Sequence, residues 1–178
     1  MGLIDWLTPK PEGSHGGFVP AAEFAGFFVA QAVTALSRAE PLVPLLAHEG
    51  PGGRGVLHFA APKMQDGIDK GQAWMAANPL GARHAAFIHD GFMTVQGAKR
   101  DVVVCRAAAF GPPRRAMTIV VPYRPAAAGA KFAIHRPKFG SGESVEDDAA
   151  LVGEAFFRGI ARHQEANAVW QRHLDESI

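Results

Sequence analysis

The sequence predicts an α+β fold: a mostly antiparallel sheet of about six strands packed against helices, in the order α-β-β-α-β-β-β-β-α, with a long C-terminal helix. Three observations carry this expectation. Segments 21–37 and 146–174 repeat apolar residues at helical spacing. Between them lie short apolar runs separated by glycine, proline and Asp-Gly signals. The connections between those runs are of hairpin length, which favours antiparallel pairing.

Taken in order, residues 1–20 read as a flexible arm and a Pro/Gly linker, and 21–178 as a single domain. Pro20 precedes and Pro41 follows a first helix from Ala21 to Ser37. Phe24 and Phe28 lie on one of its faces, and Val29, Val33 and Leu36 on another. A helix apolar on more than one face is deeply buried or lies in a subunit contact. Leu42–His48 and Arg54–Ala60 flank Gly50-Pro51-Gly52-Gly53 and read as a hairpin. Met64, Ile68, Gly71 and Met75 give a second helix, which Asn78-Pro79 stops.

The central sheet begins at His84–His89, turns at Asp90-Gly91 and returns as Phe92–Val95. Asp101–Phe110, the Gly111-Pro112-Pro113 turn, Arg115–Val121 and Lys131–His135 complete it. Val102-Val103-Val104 and Ile119-Val120-Val121 lack polar alternation, so the central strands are expected to be covered on both faces. Ser144-Val145-Glu146-Asp147 resembles a capping box opening a helix that reaches Leu174, roughly 43 Å if continuous.

Composition narrows the function classes. The chain has 178 residues, 48% of them hydrophobic and 20% charged, on the folded side of the disorder boundary. A lone cysteine, Cys105, excludes an intramolecular disulfide and fits a reducing cytoplasm. No uninterrupted apolar stretch is long enough for a bilayer span, and the start carries Asp5, unlike a signal peptide. Leu3, Ile4, Trp6 and Leu7 would suit a docking arm or a peripheral membrane contact. A net charge of +1 and the absence of a stacking platform on the basic strands weigh against nucleic acid.

Charge is unevenly spread. Lys99–Lys138 holds nine basic residues and one acid, Asp101, inside a chain of net charge +1. Such a block either pairs internally or receives an anion. A simple meander would bring Arg114, Arg115, Arg136 and Lys138 to one sheet end, beside a helix N-terminus, with Lys99, Arg100 and Arg124 at the other. His89 and Asp90 would lie beside the first cluster as weak acid/base candidates. Glu143, Glu146, Asp147 and Asp148 would face the same cluster and compete with an external anion.

Other motifs fail on chemistry. Gly50–Gly55 begins like a phosphate loop, but Val56-Leu57 stands where Lys and Ser/Thr would touch phosphate and magnesium. Gly142-Glu143-Ser144-Val145-Glu146 lacks the last glycine of a nucleophile elbow. Eight histidines include no metal-ligand spacing, so neither a metal nor a cofactor is expected. The expected function is a small cytoplasmic, non-catalytic binding or accessory protein, self-associating through helices 21–37 and 146–174, with an anion or acidic-partner site. The alternative is an enzyme acting on a phosphate- or carboxylate-bearing small molecule through His89 and Asp90 with the arginine cluster.

Overall fold

A computed structural model of the chain describes residues 17–127, 129–145 and 147–177. The N-terminal docking segment and Glu146 lie outside the described residues. The α+β expectation holds. Among the described residues are helices α1 (Val19–Ser37), α2 (Met64–Ala77), α3 (Ala149–Arg162) and α4 (Gln164–His173). The strands are β1 (Leu45–Gly50), β2 (Gly53–His58), β3 (His84–Val95), β4 (Ala98–Ala109), β5 (Arg115–Arg124), β6 (Ala133–Ile134) and β7 (Lys138–Glu143). They form one antiparallel sheet ordered β2-β1-β3-β4-β5-β6, with β7 also pairing with β5.

One face of the sheet carries Ala86, Ile88, Val103, Cys105, Ile119 and Val121, all buried against α1 and its neighbours. Alternation along the strands puts Leu46, Phe87, Ala108 and Ala116 on the other face, under α2. That second cover is incomplete. Val104 and Val120 remain only half-buried, so the expectation of central strands covered on both faces is met on one side alone.

The multi-sided apolar character of α1 serves intramolecular burial. Eleven of its residues are buried, and it contacts β3, β4, α3 and α4. By length and composition alone α1 would qualify as a membrane span, yet most of it is enclosed within this fold. Its contact with α3 is made at backbone distance. A Cβ added at Gly26 would lie 1.9 Å from the Phe156 carbonyl oxygen, and one at Gly159 would lie 2.0 Å from that of Glu23. No side chain fits there.

Four local expectations are corrected. Asp90-Gly91 is not a turn, because β3 runs straight through it. The Asp90 carboxylate accepts the Gly91 N–H at 2.9 Å, and the reversal falls at Gln96-Gly97, where φ is +51° and +79°. Two consecutive positive φ values suit a tight hairpin turn. The C-terminal helix breaks at His163, whose extended backbone (φ −99°, ψ 91°) ends α3 and whose Nδ1 accepts from the Ala166 N–H at 3.2 Å, capping α4. Ser144 does not cap α3; Asp148 does, accepting from the Ala150 N–H at 2.7 Å. The strand expected at 131–135 shrinks to two residues, and β7 follows it.

The α1–α3 approach gives a stability test. Gly26→Ala and Gly159→Ala should each lower unfolding free energy by about 1–3 kcal/mol through backbone overpacking. Gly153 has nothing within 4 Å of an added Cβ. Gly153→Ala should therefore raise it by about 0.5–1 kcal/mol through helix propensity. Urea denaturation midpoints read all three.

Candidate functional site

The basic block does gather residues around a cavity, though not the set expected. Val95 ends β3, Arg100 lies early in β4, and Pro122 is near the end of β5. The segment between β6 and β7 passes beside them, with the His135 N–H donating to the Pro122 carbonyl at 2.8 Å and Lys138 opposite Val120. These elements enclose a cavity of about 290 Å³ bordered by Val95, Arg100, Pro122, His135, Arg136, Pro137 and Lys138. Among the described residues no carboxylate lines it.

The C-terminal segment holds this wall in place. Ile134 bridges to Leu174, the Asp175 N–H donates to Ile134 O at 2.8 Å, and the ring of His135 bonds the Asp175 carbonyl through Nδ1 at 2.9 Å. A carbonyl oxygen only accepts, so His135 Nδ1 carries the proton of this bond. His135 is 3% exposed, and its Nε2 has no protein partner. Asp175 carries its own commitments: its carboxylate accepts the Ser177 N–H at 3.0 Å and lies 3.8 Å from Arg124. The bonds from Ser177, aided by His135 and Arg124, hold that carboxyl below its ordinary range.

Among the cations, Arg136 pairs with Glu176 at 3.1 Å across an exposed surface. Such pairs contribute roughly 0–1 kcal/mol and exchange readily with an external anion. Arg100 and Lys138 make no ion pair among the described residues, and the Arg100 Nε lacks a protein partner. Three cations and an imidazole around such a cavity can hold a small anion.

Arg114 and Arg115 are not part of it. Arg115 lies opposite Ala109 at the start of β5, whereas Lys138 lies opposite Val120, five residues further on. That separates them by about 17 Å along the strand. Arg114 stacks on Phe110 at 5.2 Å, and Arg115 donates to the Pro113 carbonyl at 3.3 Å. The expected convergence required a full returning strand at 131–135. Because β6 is so short and pairs with Tyr123-Arg124, Arg136 stays at the end of β5 where the chain arrived.

His89 and Asp90 also stand apart. Register places His89, Val104, Val120 and Lys138 in one row across four strands, about 14 Å from first to last. His89 donates from Nδ1 to the Asp90 carbonyl at 2.9 Å, while Asp90 accepts from Gly91 and from the Tyr123 hydroxyl, both at 2.9 Å. The pair borders a separate groove beside Met64 and Ile68 of α2. Its bonds hold β3 and β5 together.

Of the acids before α3, the described ones, Glu143, Asp147 and Asp148, do not fill the basic site. Glu143 lies 3.7 Å from Arg106, Asp147 accepts from the Phe18 N–H at 2.5 Å, and Asp148 caps α3. No group of His, Cys, Asp and Glu suited to a metal occurs among the described residues. Cys105 is fully buried, and burial pushes its thiol pKa far up. The sequence reading assigned Arg100 to the other end of the sheet and passed over His135. The Pro122 and His135-Arg136-Pro137-Lys138 run was the available signal. Searches of family models, curated proteins and solved structures found no match to this chain.

Tyr123, the only tyrosine, is buried, and its pKa is raised above 10.0 by burial first and by the bond to Asp90 second. The neutral phenol is favoured by the fold, so its stabilisation is complete below about pH 10 and is lost as pH rises beyond it. Tyrosinate absorbance should therefore appear only well above pH 10 and coincide with unfolding. Tyr123→Phe should flatten the alkaline loss of stability followed by circular dichroism.

Proposed function

We propose that this protein is a small, non-catalytic binding or accessory protein that holds an anion, or the acidic group of a partner, at Arg100, His135, Arg136 and Lys138. The observation that carries the reading is the cavity, lined by no acid among the described residues, into which β4 and the run between β6 and β7 bring three cations and an imidazole. Its volume of about 290 Å³ suits a ligand the size of phosphate or a small carboxylate. The non-catalytic reading draws support from His89 and Asp90. The alternative enzyme needs them beside the arginines, and strand register sets them across the sheet from Lys138.

Isothermal titration with inorganic phosphate and with malonate tests the site. Saturable binding is expected, weakened about tenfold in Lys138→Gln and in Arg136→Gln. It should be unchanged in Arg114→Gln. A flat isotherm for both anions, or equal losses in the Arg114 variant, overturns the reading.

Self-association belongs to the same proposal, with a narrower surface than helices 21–37 and 146–174 as wholes. Burial withdraws most of α1, whereas α3 keeps Leu151 at 52% and Phe157 at 45% exposure. Sedimentation velocity at high micromolar concentration should show a dimer that Phe157→Glu dissociates. A strictly monomeric wild type rules it out.

A further inference from the structure

At the opposite end of the sheet, a second cleft of about 290 Å³ opens between the first turns of α1, the end of α3 and the starts of β2 and β3. Its chemistry differs from that of the basic cavity. Glu23 from α1 and Glu49 from β1 supply two carboxylates, while Arg54 from β2 and Arg162 from α3 supply two guanidiniums. Arg158, 3.5 Å from Glu23, adds a third guanidinium beside them. A cleft that presents both signs at separate places favours a ligand carrying both over a simple anion or a simple cation.

The signs are also layered by depth. The Glu23 and Glu49 side chains are 19% and 32% exposed, whereas those of Arg54 and Arg162 are 49% and 71% exposed. Negative charge therefore sits inside and positive charge at the rim. Arg162 reaches Glu23 at 2.7 Å and Arg54 reaches Glu49 at 3.2 Å, each leaving donors of its fork uncommitted. The Arg54 guanidinium lies 5.3 and 5.7 Å from the Phe24 and Phe27 ring centroids, which fixes its plane and adds an apolar wall. His84 stands 3.9 Å from Glu49. Burial lowers its pKa below 6.5 despite that neighbour, so near neutral pH it adds no further positive charge.

We propose that this cleft binds a small zwitterion of the α-amino acid class with an apolar side chain. The ammonium enters toward Glu23 and Glu49, the carboxylate meets the Arg54 and Arg162 forks, and the side chain covers Phe24 and Phe27. The pairing already present does not close the site. Exposed ion pairs of this kind are weak, and the ligand offers each partner an opposite charge in exchange. The site is separate from the basic cavity and does not depend on it.

The test uses L-phenylalanine, N-acetyl-L-phenylalanine, which lacks the ammonium, and L-phenylalanine methyl ester, which lacks the carboxylate. Titration of the full chain followed by amide chemical shifts should show saturable perturbation at Glu49, Arg54 and His84 with the free amino acid. Each derivative should bind about tenfold more weakly or worse. Glu49→Gln and Arg54→Gln should each weaken L-phenylalanine by a similar factor, and Lys138→Gln should leave it unchanged. No saturation at millimolar L-phenylalanine, or equal affinity for either derivative, overturns the proposal. The derivative comparison on the wild-type chain decides the matter even where a variant fails to fold.

Discussion

The backbone contact between α1 and α3 is the constraint from which much of this architecture follows. Gly26 and Gly159 let two antiparallel helices approach until each faces a carbonyl oxygen of the other. That closeness lets Phe156 and Ile160 of α3 join the same buried cluster as Phe24, Phe28 and Val29 of α1. Dispersion contacts fall off steeply with separation, so a gap of even one methyl group would loosen the whole cluster. The same approach sets the surface chemistry. It brings Arg158 and Arg162 to 3.5 and 2.7 Å from Glu23, creating one wall of the mixed-charge cleft. Asp147, just before α3, accepts from the N–H of Phe18 at the start of α1 and ties the two helix entries together.

The two faces of the sheet have different fates because the helices are unequally shared. Three helices lie on the α1 side, whereas α2 alone serves the other and packs on β3 through Met75, Gly71 and Phe87. Gly71 marks how close that contact is: an added Cβ would lie 2.0 Å from the Phe87 ring. Beyond the reach of α2, β4 and β5 expose half-buried valines and a line of polar and basic side chains. The basic cavity sits at the edge of this uncovered area. Its far wall is supplied by the C-terminal segment rather than by a helix, through Leu174 and Asp175.

Legibility in the sequence tracked how local the deciding forces were. Both outer helices, the Gly50–Gly53 hairpin and the stop at Asn78 were readable because propensity and turn chemistry act within a few residues. Asp90-Gly91 misled because its turn-forming chemistry was diverted. The Asp90 side chain, which in a turn would serve local backbone, bonds Gly91 while also receiving the hydroxyl of Tyr123, thirty-three residues away. The break at His163 depends on a distant partner as well, because its ring lies 5.2 Å from Phe27 while its nitrogen caps the next helix. The cleft at the start of α1 was invisible for the same reason. Its charged residues come from four elements scattered between residues 23 and 162, and no spacing rule links them.

The asymmetry of charge along the chain is resolved differently at the two ends of the sheet. Where β1, β2 and α3 meet, Glu23 and Glu49 are each held between two cationic or imidazole neighbours, Arg158 and Arg162 on one and Arg54 and His84 on the other. At the other end Asp101 borders the groove of His89 and Asp90, and the capacity of the tail acids is already divided. Asp175 turns to Arg124 and Ser177, leaving Glu176, among the described residues, as the one tail carboxylate on a cation of the cavity. Arg100 and Lys138 therefore make no ion pair among the described residues, beside apolar walls of Val95, Pro122 and Pro137. Low-polarity walls weaken screening, so charge left over in such a place acts more strongly on a ligand than the same charge on an open surface. The basic block matters, then, for the two or three cations the fold leaves unmatched rather than for its total count.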